Sequence, residues 1–362
     1  MVPEPRPAIV PGQVVHFDAR PKLSLATATT DSPLKVMQWN IERGYQLDAI
    51  VTILKREAPD IAILQELDIH CERSNYTDQL RAISEAMAWN GGFVAEFEEI
   101  HSPLRAPETQ GGGFHGNAIF SRFDMTFRII DHQYQPVNWN RDGIHYLEPR
   151  RGQRYSLVAI IQPGPAVPPI MAYSVHLEVF CGLSHRICQF AELLDDAYRH
   201  KAQYPHQLLF GDLNTMAHSI ARLSPRYACD SFRWRSLGRS EPQWWQTNVL
   251  SCYRDSVSTL SAQANGDEKC HDVRVNQTAN PNLQRYGPHV FPPDVVAKAL
   301  NPGFTEPWDL HKDVTLENHC GLLRGKLDWT LTMGFRWVSK AIGNHDYHAS
   351  DHKYLVLTVQ YA

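Results

Sequence analysis

The chain has 362 residues, 43% hydrophobic and 20% charged, with a formal net charge of −4 at neutral pH. That composition suits a globular fold with a large core. It argues against a nonspecific nucleic-acid binder, which carries a clear basic excess. Seven cysteines, at 71, 181, 188, 229, 252, 270 and 320, form no C-x-x-C pair and read as buried thiols, not a disulfide framework. No stretch approaches the roughly 20 apolar residues of a membrane helix. No signal-like apolar run opens the chain, so the protein is expected inside the cell, in the cytoplasm first, with the nucleus left open.

Residues 1–33 read as an extended leader, Pro-rich and then Ser/Thr/Ala-rich, with turn signals at Asp31–Ser32–Pro33. Val36–Trp39 is a short strand ending at Asn40, and Leu47, Ile50, Val51 and Leu54 mark one helical face. Pro59 stops that helix, and Ile61–Leu64 suits a buried strand with Glu66 just past it. Leu80, Ile83 and Met87 suggest a second helix. A Pro/Gly/Gln loop follows at about 101–113, and then a strand at Asn117–Phe120. Tyr155–Ile161 and Ile170–His176 are strands set apart by a proline-rich loop, and Ile187, Phe190, Ala191 and Leu194 mark another helix. Leu208–Phe210 runs as a strand into Gly211–Asp212. Beyond about 217 the pattern weakens, and residues 225–300 read as an irregular insertion in a domain spanning 34–362. Order returns with Leu327–Thr332 and a terminal strand at Tyr354–Tyr361.

Short polar motifs sit at the strand ends: Asn40 and Glu42, Gln65–Glu66, His176, Gly211–Asp212–Leu213–Asn214, and Ser350–Asp351–His352, with Asp328 opening a strand. Groups placed there can converge in one crevice without burying unpaired charge. Hard oxygen ligands such as Glu66 and Asp351 suit Mg²⁺ or Mn²⁺ and a substrate phosphate. Cleaving a phosphoester needs an oriented water, a base, and donors for the developing charge. Asp212, the Asp328–His352 pair, His176 and Asn214 carry the right groups.

In their order along the chain these motifs resemble the endonuclease/exonuclease/phosphatase superfamily, which includes pancreatic-type deoxyribonucleases, abasic-site endonucleases, neutral sphingomyelinases and inositol-polyphosphate 5-phosphatases. The resemblance spans about residues 35–361 and takes in His115–Arg122, Arg186-x-x-Gln189 and Gly303–Trp308. It implies an α/β fold, a four-layer sandwich of two mixed sheets packed face to face with helices outside. It also implies Mg-dependent hydrolysis of a phosphodiester or phosphomonoester by water, without a covalent intermediate. Glu66 would be the principal metal carboxylate, with Asp351 near the metal and Asn40 ordering both Glu66 and the phosphate. Asp212 and Asn214 would position the water and a phosphate oxygen. His352, held by Asp328, would contact the phosphate, and His176 is similar to the second histidine of the deoxyribonuclease and sphingomyelinase branches. Glu42 stands where some relatives carry a shorter Asp and is left as an outer-shell candidate.

Gly343–Asn344–His345–Asp346 and Asp68–Ile69–His70 match a different metallohydrolase pattern, the calcineurin-like one, but lie too far apart for it. Trp234, Trp244 and Trp245 with Arg233, Arg235 and Arg239 suggest a base-stacking platform. Packing of the insertion is the favoured reading. Arg150, Arg151 and Arg154 read as residues lining a strand edge. The expected partner is a phosphoester, namely a lipid, inositol phosphate, nucleotide or nucleic acid, acted on by a monomer. A nuclease or repair endonuclease of the same fold, and a catalytically silent binding protein, stay as alternatives.

Overall fold

In the computed structural model, which describes residues 9–21, 28–215, 240–255, 279–318 and 323–362, the long strands fall into two mixed sheets. Sheet one contains β1 (Val14–Asp18), β2 (Leu34–Asn40), β3 (Ile61–Ile69), β4 (Asn90–Glu99), β5 (Gly113–Ser121), β7 (Arg150–Gly152), β14 (Phe335–Gly343) and β15 (Tyr354–Tyr361). Their order is β1-β4-β5-β3-β2-β15-β14, with β7 paired to β4. Sheet two contains β6 (Asp124–Asp131), β8 (Tyr155–Gln162), β9 (Ile170–His176), β10 (His206–Asp212) and β13 (Asp328–Met333), in the order β13-β10-β9-β8-β6. A short ribbon pairs β11 (Leu316–Asn318) with β12 (Leu323–Gly325).

Period-2 alternation sorts each strand between two cores. Leu34, Val36, Ile61, Ile63 and Ile119 from sheet one meet Ala159, Ile170, Ala172, Leu208 and Phe210 from sheet two, so the sheets pack face to face. The intervening residues Met37, Trp39, Ala62, Leu64 and Phe120 point outward onto α1 (Leu47–Glu57) and α2 (Gln79–Met87). On the other side Met171, Tyr173, Val175 and Leu209 point onto α4 (Leu183–His200), which follows the single-turn α3 (Trp139–Asp142) in the chain.

Each large sheet contains one parallel pair, β2–β3 and β9–β10, and its other pairings are antiparallel. A parallel pair needs a crossover, and α1 and α4 supply it. α1 ends where Ala58 turns left-handed (φ 45°) and returns its N–H to Leu54, just before Pro59. α2 begins at Asp78, whose side chain accepts the N–H of Arg81 at 3.0 Å.

Several stretches differ from the sequence expectation. Val14–Asp18, inside the stretch read as leader, is an edge strand registered Val14 to Val94. Its alternation anchors it, with Val14 facing the inter-sheet core and Val15 and Phe17 the α2 side. The strands β4, β6 and β14 have no counterpart in the sequence expectation, and β3 runs past Leu64 to Ile69, so that Glu66 lies inside it. In the insertion read at 225–300, the described parts pack on α4. Trp244, Trp245, Val249, Leu283 and Val295 join Ile187, Phe190 and Leu194 in one core, which favours packing for those two tryptophans. Arg233, Trp234, Arg235 and Arg239 lie outside the described residues. Among the described residues, no helix is long and apolar enough to cross a membrane.

Candidate functional site

The same alternation that builds the inter-sheet core delivers the site. Along β2 the inward positions run Leu34, Val36, Gln38, Asn40, changing from apolar to polar towards the strand's carboxyl end. Along β9 they run Ile170, Ala172, Ser174, His176, and along β10 Leu208, Phe210, Asp212. Sandwiches with parallel pairs bind ligands beyond the carboxyl ends of those strands, and here both pairs end at the same rim. A buried polar layer closes the floor: Gln38 donates to Gln65 and to Asp328, both at 2.8 Å, and Gln65 donates to Ser174 at 3.1 Å across the sheets.

Gln65 and Glu66 are neighbours in sequence yet both face inward, which a regular strand forbids. A bulge between Leu64 and Leu67 in the pairing with β5 permits it, with Glu66 in the left-handed region (φ 61°). Asn40 then ties the sheets together: its amide nitrogen donates at 3.1 Å to both Glu66 and Asp212. Its oxygen accepts the N–H of Glu42 at 3.0 Å. Gly211 is required by contact, because a Cβ there would sit 1.9 Å from the Val175 carbonyl oxygen.

Asp212 and Asp328 face each other in register and have opposite environments. Burial works to raise the Asp328 carboxyl, but His352 at 2.8 Å, Thr315 and Gln38 hold it below its ordinary value, so it stays charged. Burial, and then repulsion from Asp328, push Asp212 well above the usual carboxylate range. Of the two, Asp212 is the carboxyl that binds a proton more readily. Burial opposes a charge on His352, yet the carboxylates of Asp328 and Asp351 overcome it and raise the imidazole well above its ordinary value. His352 Nε2 lies 3.8 Å from Asp212 and 4.0 Å from Asp351.

His176 has the opposite surroundings. Arg154 donates to its Nδ1 at 3.1 Å and is itself paired to Glu96 at 3.0 Å and Glu178 at 3.6 Å. Burial first, and then the Arg154 charge, lower His176 well below its ordinary value. The ring is neutral, with its hydrogen on Nε2, 3.9 Å from Glu66 and 3.8 Å from Asp212.

The third group is acidic. Glu42 accepts the Asp351 N–H at 2.9 Å, and its carboxyl is pushed up to about 7 by burial and by repulsion from Asp351 and Glu66. Asp351 is raised as well, first by burial. Three carboxylates crowded in this way fit a hard divalent cation, which would relieve the repulsion. Asp212, Asp328 and His352, whose ligand atoms lie within 4.8 Å of one another, could also hold a metal. However, Asp328 and His352 already use their facing atoms on each other, so the Glu66 side is the better fit.

The crevice thus brings together Asn40, Glu66, His176, Asp212, Asp328 and His352. Asn214 sits behind them, donating its amide nitrogen to the Leu177 carbonyl at 2.9 Å and its N–H to Asp212 at 2.8 Å. Asp351 is on the rim with its side chain about half exposed (46%). The rival motifs serve other ends. Asp68 is buried against Arg73, and Asn344 holds the carbonyls of Ser350 and His352 at 2.8 and 2.7 Å, fixing the loop that carries His352. Sequence reading missed Arg154 as a site residue, along with Gln38. The signal for Arg154 was its position just before β8, whose Leu157 is registered to Ser174 two residues before His176.

The sequence model of the Endonuclease/Exonuclease/phosphatase family matches residues 37–352. Among solved structures, ANGEL2, a 2′,3′-cyclic phosphatase, is 13% identical with a TM-score of 0.53, covering 91% of this chain and 95% of that one. The endonuclease/exonuclease/phosphatase from Beutenbergia cavernae DSM 12333 is 18% identical with a TM-score of 0.48, covering 91% and 72%. The 3′ phosphatase NExo from Neisseria, bound to a product DNA hairpin, is 14% identical with a TM-score of 0.48, covering 91% and 99%. No curated protein matches the sequence. At these identities the likeness to solved structures is one of fold.

Proposed function

This chain belongs to the endonuclease/exonuclease/phosphatase family, whose members are metal-dependent phosphoesterases, and from that premise we propose that it hydrolyses a phosphoester by direct attack of water, with Mg²⁺ or Mn²⁺ as its cation. The observation that carries the reading is the split between Asp212 and Asp328: one carboxyl is poised to take a proton, while the other is committed to holding a charged imidazole. Asp212 orients the attacking water and accepts its proton. His352 donates from Nε2 to a phosphate oxygen, and its positive charge opposes the negative charge that accumulates there. Neutral His176 donates from Nε2 to a second oxygen. Asn40 positions Glu66 and contributes to the phosphate pocket, and Asn214 holds Asp212 through its N–H. Glu66, with Asp351, would hold the hard divalent cation, the Lewis acid that draws charge from the phosphate oxygens when bound.

The substrate is a phosphodiester or phosphomonoester of moderate size. The net charge of −4 disfavours a long nucleic acid, whose phosphates call for a basic excess. ANGEL2 has also been solved with adenosine-2′,3′-vanadate, which makes a cyclic nucleotide a rational first arm of a screen. The test is hydrolysis of a nucleotide, an inositol polyphosphate, a sphingolipid and an oligonucleotide, each with Mg²⁺, Mn²⁺ or chelator. Turnover of at least one substrate that disappears in chelator is expected. Equal rates with and without metal, or no turnover of any arm, would refute the proposal.

A further inference from the structure

Apart from His176 and His352, the inward face of this rim carries a third imidazole backed by a carboxylate. His115 lies on β5, registered to Asp68 of β3, with its Nδ1 2.9 Å from Asp68 Oδ1. That is the relation His352 has with Asp328 at 2.8 Å. Asp68 is itself fixed by two bonds from Arg73, both 2.8 Å, and Arg73 Nη2 also lies 3.3 Å from His115 Nδ1. Two residues along the same face of β5, Asn117 accepts the Glu66 N–H at 3.4 Å, so this face of β5 adjoins the Glu66 bulge. The Asn117 amide nitrogen is buried and has no partner among the described residues. His115 is 3% exposed, against 5% for His176 and 4% for His352, so the three rings are equally sunk into the rim.

Strand order gives His115 its direction. Across sheet one the sequence is β5, β3, β2, β15, carrying His115, Glu66, Asn40 and, just ahead of β15, His352. Asp212 bonds Asn40 and so sits over β2. β5 lies two strand spacings away, about 10 Å, on the far side of Glu66. In-line displacement sends the leaving oxygen away from the attacking water, hence away from Asp212 and towards β5. We propose that His115, its Nδ1–H held by Asp68, contacts the leaving-group side of the substrate and, as the doubly protonated ring, donates a hydrogen bond from Nε2 to the leaving oxygen. The inference rests on the phosphoesterase reading and adds to it the residue that recognises the departing group.

A donor to the leaving oxygen matters in proportion to how poorly that oxygen leaves. The experiment compares wild type, His115→Ala and His115→Gln on aryl phosphoesters that share one phosphate and differ in leaving group, from p-nitrophenol to unsubstituted phenol. His115→Ala is expected to lose about 100-fold in kcat on the phenyl ester, and only a few-fold on the p-nitrophenyl ester. His115→Gln, which keeps an N–H donor, should recover part of the loss on the phenyl ester. Equal losses on all leaving groups, or none on any, would overturn the assignment. A melting curve for each variant identifies misfolding, and if His115→Ala misfolds, the same leaving-group dependence in His115→Gln decides the matter. If wild type hydrolyses neither these esters nor any substrate of the screen, the underlying reading falls; if only the leaving-group dependence is missing, only the role of His115 falls.

Discussion

The two histidines that flank Asp212 are alike in burial and differ in charge. His352, on the sheet-one side, faces two carboxylates and carries a proton. His176, on the sheet-two side, faces the Arg154 guanidinium and is neutral. Their Nε2 atoms lie equally far from Asp212, at 3.8 Å. The difference therefore comes from what stands behind each ring and not from exposure. In the proposed mechanism one region of the site would supply charge to the phosphate and the other a fixed neutral donor.

The largest effect is expected between the two rings. Asp212→Asn should lower kcat by about 10⁴-fold, because it removes the base while preserving shape; single-turnover rates test this, and a loss below about 10-fold would remove Asp212 from the base role. Next, His352→Asn should lose about 10³-fold, since a charge is lost and not only a donor. The pH dependence of His352 has a definite sign. Its folded value is raised above the unfolded value of about 6.5, so the stability it contributes is fully present below that value and declines as pH rises through the folded one. Unfolding midpoints of wild type and His352→Asn should converge at alkaline pH, and a constant gap would contradict the assignment.

Behind the neutral ring the expected cost is mainly structural. Arg154→Met leaves Glu96 and Glu178 buried without their cation, which should destabilise the fold by about 3 kcal/mol, read from denaturant midpoints. His176→Gln should be the mildest of the four, about 100-fold in kcat, with an unchanged alkaline limb in its pH profile. If His176→Gln instead altered the alkaline limb as much as His352→Asn, the division between the two rings would collapse.

Much of the site was legible because its residues occupy strand ends, where a polar group after an apolar run stands out. Asn40, His176 and Asp212 have that signature, whereas Glu66 follows the apolar run Ile61–Leu64 but lies inside β3, which continues through the bulge to Ile69; β9 and β15 match their expected bounds. The supporting residues lack that signature. Arg154 precedes its strand among other arginines, and its role depends on a registry between β8 and β9 that no local pattern encodes. β4 was hidden by Gly91 and Gly92, poor strand formers kept for space, since a Cβ at Gly92 would lie 2.4 Å from the Phe127 ring. β14 is an edge strand exposed on both faces over most of its length, so it shows no alternation. Asn344 drew attention for a motif it does not serve, while its real work is to hold the His352 loop.

In the proposed mechanism Glu66 anchors the cation, and titrating Mg²⁺ against initial rate for wild type and Glu66→Gln on the best substrate of the screen tests this most directly. The predicted result is a saturable dependence for wild type, abolished by chelator. For Glu66→Gln, half-saturation should shift upward by at least about 10-fold, with a large fall in maximal rate. Superimposable titrations for the two proteins, or full wild-type activity in chelator, would contradict it.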